Sequence, residues 1–243
     1  MILTDIHSHL LPGIDDGSRD PDMTLEMFGI SRAGGVGRMF LTPHCYPSES
    51  VGEFLKRRES AEKLLEGVCP RRGTPEGLPE WKLGAEVYYH VGIQHEEMLE
   101  ALCYEGTRYI LIEMPWQEWG SRAISDVADI SRFRGFVPVI AHLERYGKLT
   151  SAASIKQLKR LPVAIQMNAE YIIEKASRRK ALKAVKNREV DLLGSDAHDT
   201  RSRLPNLGEA YDILRNAGLS GEADRLAENA GRLWEGKRLL QKD

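Results

Sequence analysis

Apolar residues cluster in short runs of strand length, and between those runs they recur at helical spacing. Seven runs read as strands, over residues 2–9, 38–42, 81–87, 109–112, 137–141, 162–168 and 191–195. The intervening pattern predicts helices. The first opens at Asp20-Pro21, an N-cap followed by proline at the first helical position, carries Met23, Met27, Ile30 and Ala33 on one face, and stops at Gly34-Gly35. Others are expected over 52–68, 93–102, 121–133, up to 161, over 172–187, and as two C-terminal helices, the last with Leu226, Ala230 and Leu233 inward. Residues 69–80, rich in proline and glycine, read as a surface loop and not a linker, because the alternation resumes after them. Strand–helix alternation implies parallel strands with right-handed crossovers. Seven consecutive units predict an α/β chain with a barrel-like sheet, one domain over residues 1–243.

The strand ends carry the chemistry. The first run ends in His7-Ser8-His9, and side chains two apart on a strand leave on one face. A lone His-x-His carries little weight, since one ring can cap the strand while the other meets water. In a parallel barrel, however, the C-terminal strand ends converge on one face. There the second run delivers His44, the third Glu86, the fourth Glu113, the fifth His142 and the seventh Asp196 and His198, with Asp16 on the first loop able to reach the same mouth. Lys and Arg total 34 against 36 Asp and Glu, yet none stands at these ends. Acceptors gathered without cations repel one another unless something positive sits among them. Bound metal ions meet that need, and nitrogen and oxygen donors without thiolate suit manganese, iron or zinc.

Composition narrows the classes. A net charge of −2 gives no field for nucleic acid or an acidic membrane. Three cysteines, with no Cys-x-x-Cys, argue against a disulfide framework or zinc knot. There is no signal-like N-terminus and no run of the roughly 20 apolar residues a spanning helix needs, so a cytoplasmic location is expected. No glycine-rich phosphate loop follows the first strand. A cysteine-dependent phosphatase needs an arginine six positions after its nucleophile. Cys45 meets Val51 there and Cys69 meets Pro75, while Arg108 comes one residue too early after Cys103.

The run Asp5-Ile6-His7-Ser8-His9-Leu10-Leu11-Pro12-Gly13-Ile14-Asp15-Asp16-Gly17 resembles the opening motif of the PHP (polymerase and histidinol phosphatase) superfamily. More narrowly, it resembles the bacterial PHP-type protein-tyrosine phosphatases encoded with capsule and exopolysaccharide genes. Thr42-Pro43-His44, Ala85-Glu86-Val87-Tyr88, Ile112-Glu113, Ala141-His142-Leu143-Glu144-Arg145-Tyr146 and Ser195-Asp196-Ala197-His198 match the later motifs in order. The resemblance implies a single-domain, distorted (β/α)7 barrel holding two to three divalent ions, manganese first, with iron or zinc as alternatives. The implied ligands are His7, His9, Asp16, His44, Glu86, Glu113, His142, Asp196 and His198, with Glu86 bridging two ions. Arg145 and Arg203 are implied to hold the phosphate. The implied substrate is phosphotyrosine on the tail of a bacterial tyrosine kinase that controls polysaccharide export, with no nucleic-acid partner and no membrane insertion. A histidinol phosphatase, or another small phosphomonoester phosphatase, is the alternative within the superfamily. A non-catalytic metal-binding regulator is disfavoured by retention of all nine ligand types. Many relatives carry histidine where Cys45 stands and proline where Leu143 stands, neither at a ligand position. Cys45 is expected to be a buried, inert thiol, and His90 and His95 to be surface groups.

Overall fold

Among the described residues, seven chain segments form parallel strands, as the apolar runs predict, and two of them are interrupted. The computed structural model describes residues 2–71 and 77–240, so the centre of the loop expected over 69–80 lies outside the described residues. The strands are β1 (Leu3–Asp5), β2 (Val36–Leu41), β3 (His44–Cys45), β4 (Glu80–Leu83), β5 (Glu86–Tyr88), β6 (Tyr109–Glu113), β7 (Val137–Ile140), β8 (Ala164–Asn168) and β9 (Leu192–Gly194). They form a three-stranded sheet in the order β1-β2-β4 and a six-stranded sheet in the order β3-β5-β6-β7-β8-β9. The two sheets share segments. β2 runs into β3 across Thr42-Pro43, where proline offers no N–H to a ladder, and β4 runs into β5 across Gly84-Ala85. Hydrogen bonds from Gly84 N to Leu41 O (2.8 Å) and Glu86 N to Pro43 O (3.0 Å) carry the pairing across both breaks. At the far side Ser8 bridges Ala197 in parallel, and Asp196 N donates to His7 O (2.8 Å). The parallel sheet therefore curls until its last segment lies against its first.

The helices are α1 (Pro21–Ala33), α2 (Val51–Glu66), α3 (Ser121–Arg134), α4 (Ala152–Leu158), α5 (Ala169–Ile173), α6 (Lys175–Lys186), α7 (Leu207–Asn216) and α8 (Ser220–Trp234). Asp20 caps α1 as expected, accepting from Met23 N at 2.8 Å, and Ser50 with Glu53 forms a capping box on α2. Three expectations need correction. Residues 93–102 form two short 3₁₀ turns, not one helix, and α4 ends at Leu158. The helix expected over 172–187 breaks at Glu174, whose ψ of 127° is extended. There the Arg178 guanidinium donates to the carbonyls of Ile172 and Ile173, satisfying groups that the end of α5 leaves open.

Two apolar layers result. One lies between the sheet and the surrounding helices. The other fills the inside of the curl, where Ile6, Phe40, Leu111, Val139, Ala164 and Leu192 pack with Leu233 and Trp234 of α8. Among the described residues, no helix is long and apolar enough to cross a membrane.

Candidate metal centre

Strand alternation explains how the cluster is assembled. Residues two apart point to the same face, so the inward positions Phe40, Leu111, Ala164 and Leu192 continue upward to His44, Glu113, Gln166 with Asn168, and Asp196. The first segment departs from this rule. β1 ends at Asp5, whose Oδ1 accepts from His7 N (3.2 Å) and Ser195 N (2.9 Å), and the chain leaves simple alternation there. Ile6 points into the inner core, yet His7 and His9 still converge, with their Nε2 atoms 3.2 Å apart. Gly194 makes room for them, because a Cβ there would lie 2.6 Å from His7 Cβ.

Donor atoms gather in three interlocking groups, each within 4.8 Å: His9, Asp16, His44 and His198; His7, His9, Glu86 and Asp196; and His44, Glu86 and Glu113. Glu86 Oε2 lies 3.2 Å from His7 Nε2, 3.2 Å from His9 Nε2 and 3.1 Å from His44 Nδ1. Asp196 Oδ1 is 3.4 Å from both His7 and His9 Nε2. Asp16, from the loop and largely exposed, reaches to 3.5 Å from His44 and 3.4 Å from His198. His142 stands outside the three groups but adjoins them, its Nε2 2.9 Å from Glu86 Oε1 and 3.7 Å from Glu113 Oε1. The structure thus brings all nine expected residues to one mouth. Two of them, His142 (φ 31°) and Asp196 (φ 54°), adopt left-handed backbone that non-glycine residues rarely take.

The electrostatics favour a cation. Burial lowers the proton affinity of His9, but Asp15, Asp196 and Glu86 outweigh it and raise His9 well above an ordinary histidine. Burial likewise opposes ionisation of Glu86, yet His7, His142 and His9 hold it well below the carboxylate range. Glu113 is pushed up to about 7 by burial and the neighbouring Glu86. His198 falls to about 4 through burial and the nearby His9. Glu86 Oε2, His44 Nδ1, His142 Nδ1 and His198 Nε2 are buried atoms without a hydrogen-bond partner. A buried polar atom left so is costly, and a metal ion would satisfy several at once, so the donor set fits one.

Arg145 and Arg203 both reach the cluster, where they donate to Asp196 Oδ2 at 2.8 and 2.7 Å and remain about one third exposed. Sequence reasoning missed several neighbours. Asp15 lies 2.8 Å from His9 Nδ1, accepts from His44 N (3.0 Å) and Gly17 N (3.0 Å), and is held at about 2 because His9 and these bonds outweigh its burial. Its only signal was the doubled Asp15-Asp16. Trp116 donates to Glu113 Oε1 (2.9 Å) and stacks on His142, and Tyr46 stacks on His44 with ring centroids 4.9 Å apart. Cys45 is buried in the outer core, where burial and Glu49 push its thiol up to about 12. His95 is exposed and His90 half-buried, both apart from the three donor groups.

Comparison with known proteins agrees with this geometry. The family model described as "Capsular polysaccharide synthesis, CpsB/CapC" matches residues 3–235. The chain is 28% identical to tyrosine-protein phosphatase YwqE of Bacillus subtilis (strain 168) over 94% of this chain and 90% of that protein. It is 27% identical to tyrosine-protein phosphatase CpsB of Streptococcus pneumoniae over 87% of this chain and 89% of that one. The fold matches a solved structure from work on YwqE and CpsB, described as metal-dependent tyrosine phosphatases. That match has a TM-score of 0.81 and 23% identity, and covers 99% of this chain and 97% of that one. A dihydropyrimidinase from Brevibacillus agri NCHU1002 shares the fold more distantly, with a TM-score of 0.55, 11% identity, and coverage of 96% and 70%.

Proposed function

The chain belongs to the capsular polysaccharide synthesis CpsB/CapC family, and from that premise we propose that it is a metal-dependent protein-tyrosine phosphatase. The observation that carries the reading is the interlocking of three donor groups through His9, His44 and Glu86. We assign His7, His9, Asp16, His44, Glu86, Glu113, His142, Asp196 and His198 as holding two to three divalent ions, manganese first. Glu86 would be the ligand these groups share, since its two oxygens face four imidazoles. Such ions would supply Lewis acidity and lower the pKa of a coordinated water, one route to phosphomonoester hydrolysis that needs no protein nucleophile.

The chain's own groups do the rest. Arg145 and Arg203 stand beside the ion ligands at the exposed lip, where a guanidinium can take phosphate oxygens in paired, charge-assisted hydrogen bonds and offset charge developing on them. Their contacts with Asp196 Oδ2 hold both guanidinium groups beside the cluster. Tyr46 and Trp116, each stacked on a cluster histidine and partly exposed, offer aromatic faces to a phenyl ring. A phenolate is a good leaving group, so the site needs no strong acid to release it. The finer fold is a single-domain (β/α)7 barrel over residues 1–243, supported by the pairing of the last segment with the first. The substrate is a phosphotyrosine protein, the tail of a bacterial tyrosine kinase in polysaccharide export, met in the cytoplasm, where three free buried thiols persist.

Manganese-loaded protein should be assayed side by side on a phosphotyrosine peptide, a phosphoserine peptide and histidinol phosphate. The phosphotyrosine peptide should give the highest kcat/KM. A preference for histidinol phosphate would overturn the tyrosine-phosphatase reading and leave a small-ester phosphatase.

A further inference from the structure

Of the seven strand segments, the one formed by β8 presents no residue assigned to hold metal in the strand or just beyond its C-terminal end. Its inward positions above Ala164 are the uncharged amides Gln166 and Asn168, both buried. Each touches residues of the proposed centre. Gln166 Oε1 accepts from His142 N at 2.7 Å and lies 3.2 Å from His7 Nδ1. Because that oxygen can only accept, His7 Nδ1 carries a proton and donates it to Gln166 Oε1. Gln166 Nε2 in turn donates to Asn168 Oδ1 at 2.8 Å, and Asn168 Nδ2 donates to Asp196 Oδ2 at 2.7 Å. The amide directions are therefore fixed along the whole chain from His7 to Asp196.

We infer that Gln166 and Asn168 are positioning residues that set the donor geometry of His7, His142 and Asp196 before any ion arrives. The inference rests on the ligand assignment above. His7 and Asp196 enter from opposite ends of the sequence, and His142 from a third strand. Local backbone does not fix them: His142 and Asp196 sit in left-handed conformations, at φ 31° and 54°. The Gln166 carbonyl holds the His142 N–H at that turn and accepts from His7 Nδ1, which orients the ring with Nε2 toward Glu86 and Asp196. The Asn168 amide, buried beneath Arg145 and Arg203, joins them on Asp196 Oδ2 and leaves Oδ1 facing His7 and His9 at 3.4 Å. An amide suits this place because it accepts from His7 and His142 while donating to Asn168, and an ammonium there would compete with the ion. Groups that orient metal ligands from behind typically change metal affinity by about 10–100-fold when removed.

The test measures the manganese concentration that half-loads the protein against a competing chelator, for wild type, Gln166→Leu, Gln166→Glu and Asn168→Ala. Circular dichroism of the metal-free proteins reports folding. Gln166→Leu and Asn168→Ala should need about 10–100-fold more manganese. Gln166→Glu, which keeps an acceptor for His7 and His142, should recover most of the affinity that Gln166→Leu loses. Wild-type loading in folded Gln166→Leu or Asn168→Ala, or no recovery in Gln166→Glu, would overturn the positioning role alone. If Gln166→Leu fails to fold, Asn168→Ala decides, because among the described residues its side chain bonds Gln166 and Asp196 and makes no cap hydrogen bond, although it stands at the N-cap of α5. A wild-type protein that takes up no manganese would instead sink the metal reading itself, and this inference with it.

Discussion

At one end of the curled sheet the inward residues are Ile6, Phe40, Leu111, Val139, Ala164 and Leu192, closed off by Leu233 and Trp234. At the other end the same strands present His44, Glu113, Gln166, Asn168 and Asp196, joined by His7, His9, Glu86 and His142. Both ends are buried, so burial alone does not distinguish them. Apolar groups gain by leaving water, at about 25 cal/mol per Å². Carboxylates and imidazoles lose, and are held there by their neighbours and by whatever cation joins them. The floor therefore stabilises the fold and the rim holds its chemistry at a cost. The two should come apart under mutation.

The largest effect should come at the rim. Glu86→Ala removes the carboxylate shared by all the facing imidazoles, and should lower phosphatase turnover by more than the about 100-fold upper range for an outer partner. His95→Ala, away from the cluster, should match wild type. Equal losses in steady-state assays of the two variants would mean that the strand-end assignment is misplaced.

The floor should respond in the opposite sense. Leu233→Ala deletes a fully buried side chain, and denaturant unfolding should show a loss of about 2–5 kcal/mol. Turnover per folded molecule and bound metal should stay at wild-type values. Loss of metal in that variant would show that the two ends are not independent.

Asp15→Asn should have the smallest effect. It keeps the shape but weakens the hold on His9 Nδ1, and chelator competition should report manganese affinity lower by about 10–100-fold. No change would confine Asp15 to shaping its loop.

Much of this division was legible in the sequence. Apolar runs marked every strand segment, and the ends of six of the seven runs named rim groups, because alternation plus parallel order fixes where a strand's last inward side chain lies. Asp20-Pro21 announced α1 for an equally local reason. What stayed hidden depends on neighbours distant in sequence. Asp15 and Asp16 are adjacent carboxylates with different tasks. The turn closed by Gly13 N to Ser18 O and Ser18 N to His9 O sends one behind His9 and leaves the other at the lip. Gln166 and Asn168 carry no charge and so gave no signal, although they sit at inward positions. The break at Glu174 needs Arg178 to be seen folding back on α5.

The most direct test of the central claim follows turnover of a phosphotyrosine peptide while EDTA strips the protein and manganese is returned, with elemental analysis of bound metal at each step. Activity should fall and recover in step with bound metal. Iodoacetamide near neutral pH should leave activity intact, because the Cys45 and Cys103 thiols are buried and pushed up to about 12. Turnover that persists on metal-free protein, or that is lost to alkylation while the metal stays bound, would contradict the account.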